Sequence, residues 1–280
     1  MPHPQHTRRM IATEAGALAV HDIGSGPRTI VLWPSIFADH HIHLRLAAAL
    51  DGQARTLLID GPGHGGSSPA PDGHDIASHA RAMARIVDEA GLSRAVVGGT
   101  SGGGLGGAEL ALIRPELVSG VVLMNLPVRM GSSGPGLQDR LIVLGARHIL
   151  RTGLFRDGVA RSFFARETLA QRPEALAAFD ATLRRADAAA LSDAVASVML
   201  RDAAWRGAAL AERLARIAAP VLMVAGRHDD LYPLADQRQA AAGLRKGRLV
   251  EVGGRHISPV DAPEAVAEAV HAFLADLQRA

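Results

Sequence analysis

Hydrophobic and polar positions alternate along the chain in short blocks that predict a succession of strands and helices. Short apolar or β-branched runs bounded by turn-forming residues are typical of strands. Two of them form a predicted hairpin at residues 10–13 and 17–21, and six more follow at 29–33, 55–60, 95–98, 120–124, 221–225 and 248–252. Helical patterns lie between most of them, for example at 44–50 and 75–90. Repeated strand–helix units predict an α/β fold with a mostly parallel, eight-stranded sheet and helices on both faces.

The alternation stops between residues 127 and 217. This stretch is helical in pattern, is rich in Ala, Arg, Leu and Phe, and lacks β-branched runs. We therefore predict a core made of residues 1–126 and 218–280, with a helical cap at 127–217 inserted after the sixth strand.

Composition narrows the classes of function. The chain has 280 residues, 48% of them hydrophobic, which is enough for a large core. Cysteine is absent, which excludes disulfides and thiol catalysis, and a formal net charge of +2 gives no nucleic-acid footprint. The basic first residues precede no apolar segment, and no apolar run reaches the length of about 18 residues that a membrane span needs. We expect a cytoplasmic protein with no membrane or nucleic-acid partner.

Ser101 is the first candidate for chemistry. It lies between Gly99 and Gly103, directly after the predicted strand at 95–98 and before a small-residue, helix-compatible stretch. A strand, a sharp turn and a helix expose the turn serine, and glycines two residues to either side let the strand and the helix approach.

An acid and a histidine follow in a fixed order. Asp229 comes after the predicted strand at 221–225, and His256 comes after the strand at 248–252. Asp230 is the alternative acid, but the spacing to Gly226 and Pro233 favours Asp229. Serine, acid and histidine in this chain order are typical of a triad built on an α/β sheet.

Four motifs together resemble those of the α/β-hydrolase family, in its serine esterase and enol-lactonase-like branch. They are the Ser101 turn, the Asp-x-x-Gly-x-Gly-x-Ser turn at 60–67, the acid loop at 226–233 and the histidine loop at 254–256 with the helix start at 261–264. The resemblance covers most of the chain. It implies that Ser101 is a nucleophile, that His256 is its base and that Asp229 orients the base. Some members place the acid after the sixth strand instead, but Asn125 in that position cannot carry the charge.

The resemblance also implies an oxyanion hole of two backbone N–H groups. One is that of Gly102, the residue after the nucleophile. The other belongs to the loop after the third strand, where Trp33-Pro34-Ser35 replaces the usual His-Gly. Aligning Pro34 and Ser35 on that pair makes Ile36 the second donor, since proline has no N–H.

The expected reaction is hydrolysis of a carboxylic ester or lactone of a small, largely apolar substrate through an acyl-serine intermediate. Epoxide hydrolases and haloalkane dehalogenases use an aspartate as the nucleophile. The corresponding residue here is Ser101, which disfavours both classes. Carbon–carbon bond hydrolysis, cofactor-free oxygenase or perhydrolase chemistry on the same triad, and a ligand-sensing protein with vestigial hydrolysis remain alternatives. Trp33, Phe37, Phe163 and Trp205 are candidate pocket residues. Whether Arg129, Arg140 or Arg147 binds a substrate carboxylate stays open.

Two further motifs carry less weight. Gly102–Gly107 matches the dinucleotide pattern G-x-G-x-x-G, but the next strand ends in Met124-Asn125, where an acidic ribose ligand would be required. His40, His41 and His43 lack a convincing set of additional ligands, and we interpret them as loop histidines near the cavity. We expect no metal, no organic cofactor and a small-molecule substrate as the partner, and a homodimer stays an open alternative for the oligomeric state.

Overall fold

A single eight-stranded sheet organises the chain, as predicted. The computed structural model describes residues 6–71, 74–131 and 134–279. The strands are β1 (His6–Thr13), β2 (Gly16–Ile23), β3 (Arg28–Trp33), β4 (Ala54–Ile59), β5 (Ala95–Thr100), β6 (Val118–Met124), β7 (Val221–Gly226) and β8 (Gly247–Val252). They are ordered β1-β2-β4-β3-β5-β6-β7-β8. β2 runs antiparallel to β1 and β4, and the remaining neighbours are parallel.

Helices cover both faces of this sheet. They are α1 (Leu44–Leu50), α2 (Ile76–Glu89), α3 (Gly102–Ile113), α4 (Leu137–His148), α5 (Gly153–Phe163), α6 (Arg166–Gln171), α7 (Pro173–Arg185), α8 (Ala188–Met199), α9 (Gly207–Arg216), α10 (Leu234–Ala242), α11 (Ser258–Asp261) and α12 (Pro263–Arg279). α2, α3, α9 and α10 contribute to the hydrophobic cluster on one face, and α1 and α12 to the cluster on the other. Because both faces are covered, the central strands are near-continuous apolar runs, and every residue of β5 and β7 is buried.

Helices α4 to α9 lie between β6 and β7. Side chains from α4, α5, α7 and α8 form a third hydrophobic cluster, which also includes Phe37 after β3 and Ile257 after β8. In contrast, Leu210 and Leu214 of α9 pack into the cluster on the sheet. The division of the chain into a core and a cap at residues 127–217 stays a prediction, although α9, within that range, packs on the sheet.

Within the described ranges, no helix is long and apolar enough to cross a membrane.

Candidate active site

Ser101 occupies a strained turn between β5 and α3. Its φ of +56° lies in the left-handed region, which non-glycine residues seldom adopt. The two flanking glycines are required by close packing, since an added Cβ would lie 2.1 Å from the Trp33 carbonyl oxygen at Gly99 and 2.3 Å from it at Gly103. The Ser101 N–H donates to the Met124 carbonyl at 2.8 Å, which holds the turn against β6. The turn therefore has the strain and the close approach that its glycine spacing predicts.

Ser101, His256 and Asp229 form one hydrogen-bonded relay. His256 Nε2 lies 2.9 Å from Ser101 Oγ, and His256 Nδ1 lies 2.9 Å from Asp229 Oδ2. All three side chains are buried. They come from turns at the carboxyl ends of parallel strands β5, β7 and β8, so the topology brings together residues that are up to 155 positions apart. A neutral imidazole in this arrangement accepts the serine proton and keeps its Nδ1–H on the carboxylate.

Asp229 is held ionised by its surroundings. Its Oδ1 accepts from the backbone N–H groups of Leu231 at 3.0 Å and Tyr232 at 3.2 Å. Burial raises the pKa of the Asp229 carboxyl, but the neighbouring His256 and the hydrogen bonds from His256, Asn125 and Tyr232 outweigh burial and hold that pKa below its usual range. A carboxylate that stays charged stabilises the protonated histidine formed during the reaction.

The adjacent Asp230 has a different environment. Its side chain is 75% exposed and forms an ion pair with Arg255, and it makes no contact with His256 among the interactions described. Of the two aspartates in the loop after β7, the structure therefore brings Asp229 to the histidine.

Asn125 takes part in the site, although its sequence position gave only a reason to reject it as the acid. It follows β6, has a φ of +48° and is fully buried. Its Nδ2 donates to Asp229 Oδ2 at 3.2 Å and to the Arg255 carbonyl at 2.9 Å, and its Oδ1 accepts from the Ser258 N–H at 3.3 Å. These bonds tie the acid to both sides of the His256 loop. Asparagine adopts left-handed backbone more readily than most residues, and this preference is the sequence feature that could have indicated a role for Asn125 in the site.

The expected oxyanion donors lie close together. Gly102 is the first residue of α3, so its N–H has no acceptor within the helix. Ile36 and Gly102 both line a small void of about 20 Å³, and Ile36 also lines the cavity that contains Ser101. The loop carries Phe37 at a φ of +65°, which turns the chain directly after Ile36. This arrangement is compatible with the two predicted donors.

A cavity of about 360 Å³ opens beside Ser101 and His256. Most of its lining is apolar, including Ile36, Phe37, Phe155, Phe163, Met199 and Leu231. The Phe163 ring lies 5.1 Å from the His256 ring, measured between centroids, and the Tyr232 ring lies 5.2 Å from it. Burial raises the pKa of the Tyr232 phenol to about 12, so this group is neutral near pH 7.

Two of the four predicted pocket residues lie here and two do not. Phe37 and Phe163 line the cavity beside Ser101. Trp33 instead stacks on His79, with ring centroids 4.6 Å apart, and borders the small void that Ile36 and Gly102 also line. Trp205 donates from Nε1 to Glu109 at 3.1 Å and packs outside the lining of the cavity. Each tryptophan has a partner in the core, and neither lines the cavity beside Ser101. Trp205 borders a void of about 30 Å³ that shares Arg129, Met199 and Tyr232 with that cavity.

Of the three arginines considered as carboxylate ligands, one lines the cavity and two do not. Arg129 lines the cavity, where its guanidinium lies 5.1 Å from the Tyr232 ring centre and 3.4 Å from Asp139. Arg140 and Arg147 lie on exposed positions of α4 and do not line it.

The histidines at 40–43 do not line the cavity beside Ser101. His43 is buried and its Nε2 lies 2.8 Å from Thr100 Oγ1. His40 Nδ1 and His21 Nε2 lie 2.7 and 3.2 Å from the two oxygens of Asp60, and this trio has the donor types of a metal site. Each of these atoms is engaged within the trio, so hydrogen bonding accounts for the cluster.

The chain belongs to the α/β-hydrolase fold family. A sequence model of the alpha/beta hydrolase fold matches residues 28–263. Among solved structures, the chain is similar to the enol-lactonase from Burkholderia xenovorans LB400, with 25% identity, a TM-score of 0.85, and coverage of 95% of this chain and 100% of that one. A hydrolase from Pseudomonas aeruginosa PA01 is 27% identical, with a TM-score of 0.83 and coverage of 96% of this chain and 98% of that one.

A curated relative of similar length is also named as a hydrolase. The chain is 29% identical over 243 residues to a protein of Klebsiella pneumoniae (strain 342) named as the carbamate hydrolase RutD, with coverage of 85% of this chain and 88% of the relative. Family membership and the general class of hydrolase are therefore established.

Proposed function

We propose that this protein is a serine hydrolase that cleaves a carboxylic ester or lactone of a small, largely apolar substrate through an acyl-serine intermediate. The observation that carries this proposal is the relay from Asp229 through His256 to Ser101, with both contacts at 2.9 Å, beside an apolar cavity. A serine hydroxyl is a poor nucleophile near pH 7, and an oriented neutral histidine is what activates it.

The proposed reaction has two halves. His256 takes the proton of Ser101 as Oγ attacks the acyl carbon, and the N–H groups of Gly102 and Ile36 stabilise the resulting oxyanion. His256 then donates that proton to the departing alcohol oxygen, which leaves an acyl-serine. A water molecule, deprotonated by His256, attacks the acyl carbon, and the proton returns to Ser101 as the acid is released. In a lactone, the alcohol and the acid belong to the same product molecule.

The cavity supports the substrate class. Its volume of about 360 Å³ lies within the range of about 300–1,000 Å³ that is typical of small-molecule sites. Arg129 is the only arginine, lysine or carboxylate side chain that the described residues contribute to its lining, and Arg129 is engaged by Asp139 and the Tyr232 ring. A wall of this composition favours uncharged, apolar acyl chains.

The names of the relatives are a reason to test other carbonyl substrates as well. One relative is named as a carbamate hydrolase, and one similar structure is an enol-lactonase. The purified protein should therefore be given matched panels: acyl esters of increasing chain length, five- and six-membered lactones, alkyl carbamates, and a dienoic diketone acid for carbon–carbon cleavage. Ser101→Ala is the control in every assay. We expect Ser101-dependent turnover of an ester or lactone. Turnover confined to carbamates or to the diketone acid would overturn the substrate class. Covalent labelling of Ser101 by a fluorophosphonate without turnover of any of these substrates would favour the ligand-sensing alternative.

A further inference from the structure

Helix α4 exposes an apolar stripe to solvent. Leu137, Leu141 and Leu144 are 74%, 56% and 53% exposed. At spacings of four and three residues, they share one face of the helix. The buried residues Asp139 and Ala146 lie on the opposite face. A surface helix ordinarily turns its apolar residues toward the core, and α4 does so with Ile142, Val143 and Ala146. The three leucines therefore form a second apolar stripe, which faces solvent.

More exposed apolar side chains follow α4 in the sequence. Seven large hydrophobic side chains are exposed in the described part of the chain, and five of them fall between residues 137 and 154, the last two being Ile149 and Leu154. Exposed apolar residues scattered singly are normal, but a contiguous group marks a surface that contacts something apolar. Leu154 also lines the cavity beside Ser101, so the group borders the cavity opening. We call the exposed side chains of residues 137–154 the cap face.

The charges of the cap face are of one sign. Arg140, Arg147 and Arg151 are exposed, and none of them forms an ion pair with a carboxylate in the described part of the chain. The single carboxylate within 137–154 is Asp139, which is buried and faces Arg129. Asp157, on α5, is the next acid along the sequence. A partner of this surface must therefore accept both leucine side chains and unpaired arginines.

We propose that the cap face binds a lipid bilayer that contains anionic headgroups, with the cavity opening toward the bilayer. Leucines inserted at the level of the upper acyl chains and arginines at the headgroups match the two components of such a surface. A second copy of the chain fits less well, because a two-fold contact between cap faces would bring Arg140, Arg147 and Arg151 of both copies together. The orientation of the cavity rests on the proposed function, whereas the binding itself does not.

The test is sedimentation of the full chain with vesicles. The probes are vesicles of phosphatidylcholine alone and of equal parts phosphatidylcholine and phosphatidylglycerol, at low and at raised salt. Two sets of substitutions address the two components: Leu141→Ser with Leu144→Ser, and Arg140→Gln with Arg147→Gln and Arg151→Gln. The matched control replaces Arg185, Arg216 and Arg245 by Gln, since these are exposed arginines on other surfaces that also lack an ion pair among the described residues.

We expect the wild-type chain to bind the anionic vesicles and to be released by salt, because screening weakens surface charge interactions. The arginine variant should bind about a hundredfold more weakly, since each arginine near the surface contributes separately. The leucine variant should also lose binding, while the control variant should bind as the wild type does. Equal binding to both kinds of vesicle, or none to either, would overturn the proposal. Dimerisation in analytical ultracentrifugation that the leucine variant abolishes, without vesicle binding, would assign the cap face to a second copy.

Turnover of a short, water-soluble ester separates this proposal from the proposed function. The cap-face side chains that are substituted do not line the cavity. These variants should therefore keep wild-type turnover in the absence of vesicles, and a chain with no esterase activity can still bind the vesicles.

Discussion

Replacing Asn125 by alanine should damage both stability and catalysis. The substitution removes three hydrogen bonds, two buried ones to Asp229 and the Ser258 N–H and a partly buried one to the Arg255 carbonyl. A buried hydrogen bond contributes about 1 kcal/mol, so their loss costs about 3 kcal/mol. Alanine at a φ of +48° adds about 1 kcal/mol of backbone strain. The total of about 4 kcal/mol corresponds to a fall in Tm of about 10 °C for a chain of this size.

The catalytic effect follows from the partners of the lost amide. Without the donor from Asn125, the pKa of the Asp229 carboxyl should rise toward its ordinary value, and the loop that carries His256 should be less well positioned. A small displacement of a catalytic group costs about a hundredfold in rate, so we expect kcat to fall by about that factor. KM should change little, because Asn125 does not line the cavity.

Gln237→Ala is the matched control for this substitution. Gln237 is a buried amide whose Nε2 donates to the Leu126 carbonyl at 2.5 Å, and it has no described contact with the triad. Thermal unfolding and kcat on the best ester or lactone are to be measured for both variants. The control should lose stability but keep its kcat. The argument fails if Asn125→Ala keeps the wild-type kcat, or if Gln237→Ala lowers it equally.

Three further predictions use other parts of the structure. Asp229→Asn should lower kcat by about 10⁴, whereas Asp230→Asn should have little effect on kcat because its side chain is exposed and away from the histidine; equal losses would reverse the assignment of the acid. Burial and then the charge of a neighbouring histidine lower the pKa of His79 to about 3, so the unfolded chain binds a proton between about pH 6.5 and 3 that the folded chain does not. Stability should fall as the pH is lowered through that range, and denaturant titrations of His79→Phe should show a slope smaller by up to about 1.4 kcal/mol per pH unit. Phe163→Ala should change the ranking of esters by chain length by about ten- to two-hundredfold, whereas Trp205→Phe should leave the ranking unchanged, and the opposite result would place Trp205 in the pocket after all.

The features of the fold and site that could be predicted from the sequence are those fixed by residues close together in the chain. The Gly99-x-Ser101-x-Gly103 spacing predicts the turn because both glycines meet the same backbone carbonyl. The buried strands were found as apolar runs. In contrast, β1 begins at His6 rather than at residue 10, because its first half is a polar, exposed edge held by pairing with β2. A pattern of hydrophobic positions cannot detect such a strand.

Apart from the serine, acid and histidine that the resemblance implied, side-chain partners far apart in sequence could not be predicted. Asn125 contacts Asp229 and Arg255, which are 104 and 130 positions away. Trp33 and Trp205 were placed in the pocket because of their residue type, yet each found a partner in the core, His79 and Glu109 respectively. Burial of an aromatic side chain follows from composition, whereas the surface that it faces depends on tertiary packing.

Covalent labelling of Ser101 tests the central claim most directly. A small fluorophosphonate should add once to the wild-type chain, and mass spectrometry of peptides should locate the adduct at Ser101. Ser101→Ala should remain folded by circular dichroism, give no adduct and lose about 10⁶ in kcat on the best substrate. Labelling of Ser101→Ala at the wild-type rate, or an adduct on another residue of the wild-type chain, would contradict the assignment of Ser101 as the nucleophile.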